Sequence, residues 1–146
     1  MSTATWHPCS PFERVDGYVW LKRMLAKARR KATDPMGDYV VFEASPLDAY
    51  ALARWQVRGA EVQAWLDEGL DDEAIATRLA AHLGHLNLAA RERWSRGYMR
   101  LYGLFMHMIE ADEGRRAPGL VTSLMAGLLE AIFFVVRTRN RLLGRA

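Results

Sequence analysis

Cysteine is almost absent from this chain, which has a single one, Cys9, among 146 residues. One thiol excludes an intrachain disulfide and favours a reducing compartment. Residues 1–13 contain no continuous apolar segment of the kind that a secretory signal peptide needs. We therefore expect a cytoplasmic protein.

Net charge is also small, because 20 basic residues and 17 acidic residues leave only +3. A charge of this size does not by itself imply nucleic-acid binding. Residues 61–73 hold six acids and no base, and this segment would repel phosphate. Residues 70–76 have a weak likeness to the opening of a helix-turn-helix, but the helix that follows begins with apolar residues that do not contact bases. We expect no nucleic-acid partner, although basic residues do cluster at Arg91, Arg93, Arg96 and Arg100 and again at Arg137, Arg139, Arg141 and Arg145.

The chain contains no catalytic, metal-binding or nucleotide-binding motif. His82 and His85 are close in sequence, but Gly84 between them predicts the end of a helix. His107 and Glu110 share a helix face, whereas carboxylate-bridged di-iron bundles need Glu-x-x-His twice and two further glutamates. We predict no metal site and no cofactor.

Helix signals cover most of the sequence. Ser45, Asp71 and Asn87 are polar N-cap residues ahead of three helical segments. An earlier helix is predicted at residues 17–31, where apolar side chains recur three and four positions apart. Residues 39–42 are predicted to be a short extended segment.

The longest predicted helix, residues 88–113, is apolar on two sides. A helix of this kind belongs in the middle of a bundle, where neighbours cover both sides. We predict an all-α fold: one domain over residues 1–146, a bundle of five to six helices with this helix at its centre. Residues 1–9 are predicted to be a loose arm.

Residues 117–136 form a long apolar run that contains one charged residue, Glu130. As a helix, residues 118–136 would span about 28 Å, close to a hydrocarbon core of about 30 Å. The free energy that the aliphatic residues gain on insertion is roughly offset by Glu130 and the polar residues. Insertion is therefore not compelled, and a tail-anchored membrane protein is kept as an alternative.

Small side chains recur every fourth residue in the same run and indicate close packing against another helix. We predict that residues 118–143 form an apolar packing or dimerisation helix and that the protein is a homodimer. The small residues of this stripe are Gly119, Ser123, Gly127 and Ala131.

The best candidate site is on the first predicted helix, where three cations follow a helical spacing opposite the apolar face. We predict an exposed cationic surface with a tryptophan at its edge, facing the loop that contains residues 38 and 39. Arginine offers two-pronged contacts to an anion, and tryptophan offers a stacking face. The alternative is an ordinary solvated helix face whose ion pairs contribute little. The predicted ligand-binding residues are Trp20, Arg23, Lys27, Arg30, Asp38, Tyr39 and Asp48.

Several motifs follow one another between residues 10 and 48: Ser10-Pro11, Gly17-Tyr18-Val19-Trp20-Leu21, Arg23-Met24, Lys27-Ala28-Arg29, Gly37-Asp38-Tyr39 and Pro46-Leu47-Asp48. In order and spacing this segment resembles an uncharacterised bacterial family called domain of unknown function 5069. Ala26 departs from the family pattern, which has an acid there, and Ser45 replaces a frequent cysteine. The resemblance implies a small, mostly helical cytoplasmic protein and implies no activity.

We therefore predict a non-catalytic binding module that uses the tryptophan and cations of the first helix to hold an anionic ligand or an acidic protein segment. Two alternatives remain open. One is a small enzyme with a site between the first helix and the Asp38-Tyr39 loop, and the other is the tail-anchored membrane protein.

Overall fold

A computed structural model describes residues 6–117 of the chain, together with residues 119, 124, 127 and 128. Among these residues the fold is all-α apart from one small hairpin, so the predicted fold class is confirmed. The chain forms two compact units, Met1–Gly103 and Leu104–Ala146. The described elements are β1 (Arg14–Val15), β2 (Tyr18–Val19), α1 (Leu21–Thr33), a 3-10 turn (Phe42–Ala44), α2 (Pro46–Trp55), α3 (Gly59–Asp67), α4 (Asp72–Leu83) and α5 (Leu88–Asp112).

Three helices begin at the predicted N-caps. In each case the backbone N–H three residues further on donates to the cap side chain, at 3.5 Å for Ser45, 2.8 Å for Asp71 and 2.9 Å for Asn87. Each bond satisfies an N–H group that has no partner within its own helix. Gly84 ends α4 in the left-handed region, with φ +66°. These boundaries are confirmed.

The first helix begins later than predicted, at Leu21 and not at residue 17. Asp16 and Gly17 have φ values of 46° and 85°, and they form the turn between β1 and β2. Two consecutive residues with positive φ are what a tight hairpin turn requires, and Asp-Gly is a favoured pair for it. The turn and β2 therefore occupy residues 17–19, which the sequence assigns to the start of the helix.

The predicted extended segment at residues 39–42 forms no strand, although Val41 within it has an extended backbone with φ −133° and ψ 157°. The sheet of the described chain has only two strands, β1 and β2. Phe42 instead starts the 3-10 turn, with a φ of 59°.

One hydroxyl group of α5 makes two hydrogen bonds to the hairpin. Ser95 Oγ accepts a hydrogen bond from the backbone N–H of Val19 at 2.9 Å and donates to the carbonyl oxygen of Gly17 at 2.7 Å. This bridge holds the aromatic end of the hairpin in the core. The largest fully buried side chains of the first unit are Trp20, Trp55, Tyr18, Tyr98, Leu21, Met24, Leu25, Ile75 and Leu79.

Apart from residues 119, 124, 127 and 128, the predicted packing helix at residues 118–143 lies outside the described residues. The homodimer through the small-residue stripe therefore stays a prediction. Within the part of the chain that the structure describes, no helix is both long enough and apolar enough to cross a membrane.

Candidate functional site

The cationic face of α1 is covered at Arg23 and Lys27, so the prediction of an exposed surface is wrong at these residues. The exposed fraction is 2% for Arg23, 3% for Lys27 and 1% for Trp20. Helical spacing correctly puts the cations on one face of α1, but other parts of the chain fold over that face.

Asp48 lies at the centre of this buried face. Its two carboxylate oxygens each accept from Nζ of Lys27 at 2.8 Å. One of them also accepts from Nε1 of Trp20 at 2.8 Å, and the other accepts from the backbone N–H of Phe42 at 2.9 Å. We call these residues, Trp20, Lys27, Phe42 and Asp48, the Asp48 node.

The Asp48 node leaves little for a ligand to bind. Asp48 is fully buried, and Lys27 donates to the Val40 carbonyl oxygen at 3.0 Å as well as to the carboxylate. Burial raises the pKa of the Asp48 carboxyl, and the Lys27 ammonium and the Trp20 N–H oppose that shift. A buried carboxylate that accepts four hydrogen bonds and faces a buried ammonium acts as an internal ion pair.

Arg23 interacts with the N-terminal segment. One guanidinium nitrogen donates to the Cys9 carbonyl oxygen at 2.8 Å, and the guanidinium carbon lies 5.6 Å from the ring centre of Tyr39. His7 Nδ1 is 2.7 Å from the Tyr39 hydroxyl. Residues 6–9, predicted to belong to a loose arm, therefore lie against α1 and the loop after it.

The two remaining predicted site residues lie at the surface and are not brought together. Arg30 forms an ion pair with Asp34 at 3.1 Å, and its guanidinium lies 5.3 Å from the ring centre of Trp6. Asp38 is exposed, and no described residue pairs with it. The structure thus groups Trp20, Lys27 and Asp48 and leaves Asp38 apart.

The histidines of the first unit have protein partners. His82 Nε2 lies 3.2 Å from the Gln56 carbonyl oxygen, and His85 Nδ1 lies 2.8 Å from the Tyr18 hydroxyl. Burial and the nearby Arg91 lower the pKa of His85. Within the described residues, no three histidine, cysteine or acidic side chains converge as metal ligands would.

Two buried tyrosines have raised pKa values, and this predicts a pH effect. Burial raises the pKa of Tyr18 from 10.0 to about 12, and burial also raises the pKa of Tyr98, whose hydroxyl donates to the Leu47 carbonyl oxygen at 2.9 Å. The unfolded chain loses the Tyr18 proton near pH 10, whereas the folded protein holds it to about pH 12. The contribution of the protonated Tyr18 hydroxyl to the free energy of unfolding is therefore complete below pH 10 and is lost as the pH rises toward 12. A Tyr18→Phe variant should therefore show a flatter fall in stability between pH 10 and 12.

Ultraviolet absorbance of tyrosinate in the native protein checks this result directly. Tyr18→Phe should remove one group that ionises near pH 12. Loss of a group that ionises near the ordinary tyrosine pKa would contradict the burial argument.

A second cationic surface, which the sequence did not single out as a site, lies where α2 meets α5. A Cβ atom at Gly97 would lie 3.0 Å from Nη2 of Arg54, so this guanidinium rests beside the glycine. Arg93 and Arg100 are four residues before and three residues after Gly97, which places them next to it on the same helix face. We call Arg54, Arg93 and Arg100 around Gly97 the arginine patch.

The arginine patch differs from most other surface cations in lacking acidic partners. Its three arginines are exposed, and none forms an ion pair with a described residue. Most other cations of the first unit are paired, as in Lys22–Glu13, Arg29–Asp72, Arg30–Asp34, Arg58–Glu61, Arg78–Glu68 and Arg91–Asp16. The spacing of Arg93 and Arg100 was visible in the sequence, but the approach of Arg54 was not.

The comparisons with known proteins give one match. A family model described as Domain of unknown function (DUF5069) matches residues 5–104. No curated protein and no solved structure matches the chain. The matched range contains α1 to α4, the Asp48 node and the arginine patch. Since it covers more than half of the sequence, the chain belongs to the DUF5069 family.

Proposed function

We propose that this protein is a non-catalytic binding module that holds an anionic partner on the arginine patch. The observation that carries the proposal is the exposure of Arg54, Arg93 and Arg100 around Gly97 without an acidic partner among the described residues. Exposed arginines of this kind can form charge-assisted, two-pronged hydrogen bonds to carboxylate or phosphate.

As the sequence predicted, the proposed ligand is an anion, but the proposed binding surface is the arginine patch and not the cationic face of α1. On α1, Lys27 is neutralised by Asp48 and Arg23 contacts Cys9 and Tyr39, so an incoming anion would have to displace protein groups. The enzyme alternative meets the same difficulty, because Lys27 and Asp48 are buried and a substrate would have to reach them.

Inorganic polyphosphate is a suitable first probe because it offers charge without any other recognition feature. At low ionic strength we expect calorimetry to show binding to the wild-type protein. The double variant Arg93→Glu/Arg100→Glu should bind at least about tenfold more weakly, because like charges brought together cost several kcal/mol and about 1.4 kcal/mol is tenfold.

A matched control separates the patch from net charge. Arg14 and Lys31 are also exposed and form no ion pair with a described residue, so Arg14→Glu/Lys31→Glu changes the net charge equally at other positions. Wild-type affinity in this control supports the patch. Absence of polyphosphate binding, or an equal loss in both double variants, would reject it.

We place this function in the cytoplasm, since a single cysteine suits a reducing compartment. Recovery of the full-length protein only in detergent-solubilised membranes would contradict that placement.

A further inference from the structure

A row of neighbouring aromatic rings leads from the core toward the arginine patch. Trp55 stacks on Trp94 with ring centres 4.8 Å apart, and Trp94 stacks on Tyr98 at 5.3 Å. The rings of Tyr98 and Tyr102 are 4.9 Å apart and tilted by 54°, and Tyr102 stacks on Tyr50 at 4.9 Å with an angle of only 10° between the ring planes. The row therefore crosses from α2 to α5 and returns to α2.

The last ring of the row reaches solvent. Tyr50 is 50% exposed, whereas Trp55 and Tyr98 are fully buried. A half-exposed ring that is held by stacking from behind can accept another flat ring at little cost in side-chain entropy, because its orientation is already fixed.

Arg54 joins this ring to the arginine patch. It follows Tyr50 by four residues on α2, so the two side chains are neighbours on one helix face. Its guanidinium lies 5.6 Å from the ring centre of Trp94 and beside Gly97. An exposed aromatic face and an unpaired cation thus stand next to each other.

We infer that the anion held by the arginine patch is the phosphate backbone of a single-stranded nucleic acid, with a base stacked on Tyr50; this inference rests on the proposed function. Proteins that bind single strands stack the bases on aromatic side chains and bind the phosphates with cationic side chains. Arg93 and Arg100 are about 10 Å apart along α5, so each can contact a different phosphate of one strand.

Two other anions fit less well. An acidic peptide would use the arginines but would leave the exposed ring of Tyr50 without a flat partner. In a nucleic-acid duplex the bases are already paired and stacked, and are not free to reach the ring. The sequence predicted no nucleic-acid partner, because the net charge is small and residues 61–73 are acidic. The sequence does not show, however, that the fold brings Tyr50 and Arg54 of α2 against α5.

Fluorescence anisotropy with four labelled probes tests the inference. The probes are oligothymidylate, an abasic strand and a DNA duplex of the same length, and polyglutamate of the same charge as the oligothymidylate. Oligothymidylate should bind most tightly. Tyr50→Ala should weaken oligothymidylate binding by about fivefold or more, as loss of one stacked base does, and should leave the abasic strand unaffected. Tyr50→Phe keeps the ring and should bind as the wild type does.

The salt dependence gives an independent readout of phosphate contacts. Removing two of them with Arg93→Glu/Arg100→Glu should reduce the slope of log affinity against log salt by at least about 1.4, at about 0.7 per contact in single strands. Arg14→Glu/Lys31→Glu should leave the slope unchanged. Thermal unfolding of each variant confirms that it is folded.

The outcomes separate this inference from the proposed function. Equal binding of the abasic strand, of the duplex or of polyglutamate, each still lost in Arg93→Glu/Arg100→Glu, would overturn the single-strand inference and leave the anion-binding module intact. If none of the four probes binds at low salt, the single-strand inference falls, and if polyphosphate does not bind either, the proposed function falls with it.

Discussion

Replacing Asp48 with alanine should lower the free energy of unfolding by about 3–5 kcal/mol, the usual result of removing one partner from a buried ion pair. The variant leaves the Lys27 ammonium buried without a carboxylate, and Nε1 of Trp20 loses its acceptor. Domains of this size are stable by only about 5–15 kcal/mol. Urea unfolding followed by circular dichroism should therefore show a much lower midpoint.

Two controls test whether the Asp48 node is the cause. Glu68 pairs with Arg78 at 2.8 Å on the surface, and Glu68→Ala should cost only about 0–1 kcal/mol. Lys27→Met/Asp48→Leu removes both buried charges, so it should cost less than Asp48→Ala alone. An Asp48→Ala variant no less stable than Glu68→Ala would show that the node contributes little.

The same geometry explains why the recognisable motifs of this chain occur together. Trp20 comes from the Gly-Tyr-x-Trp-Leu segment, Lys27 from Lys-Ala-Arg, and Asp48 from Pro-Leu-Asp. All three meet at one buried carboxylate. Residues that are distant in sequence but share one buried polar group are constrained by folding, and this constraint needs no ligand.

Local signals in the sequence were sufficient for the helix boundaries that depend on local chemistry. Ser45, Asp71 and Asn87 each cap the helix they were expected to cap, because a side-chain oxygen satisfies an N–H group only three residues away. The hairpin was missed although Asp16-Gly17 is a strong turn signal. Apolar spacing that continues from Tyr18 into α1 predicts a helix over the same residues and competes with that signal.

The spacing of residues along a helix does not predict which other parts of the chain cover each face. Periodicity placed Arg23 and Lys27 opposite the apolar residues of α1, but their burial depends on residues 6–9 and on Asp48, which approach only in the folded chain. The arginine patch, too, depends on contacts that exist only in the folded chain. Arg54 and Gly97 are far apart in sequence, and no pattern indicates that they touch.

Gly17→Ala is the second substitution with a large expected effect, about 2–5 kcal/mol of lost stability. Gly17 has a φ of +85°, which costs a residue with a side chain about 1–2 kcal/mol. A Cβ atom there would also lie 2.8 Å from Cδ1 of Leu88, a half-exposed side chain that can move aside. It would lie 3.1 Å from Cβ of Arg91, which is fixed to the helix backbone, and overpacking of this kind costs about 1–3 kcal/mol. Urea unfolding measures the sum.

Two further glycines separate these contributions. Gly69 has a similar φ of +81° with nothing within 4 Å of its Cβ position, so Gly69→Ala should show the conformational cost alone, about 1–2 kcal/mol. Gly103 lies inside α5, and Gly103→Ala should stabilise the protein by about 0.5–1 kcal/mol. The excess of Gly17→Ala over Gly69→Ala therefore measures how closely the hairpin packs on α5. Equal losses at the two positions would mean that α5 yields to the added methyl group and that Gly17 is required by the turn alone.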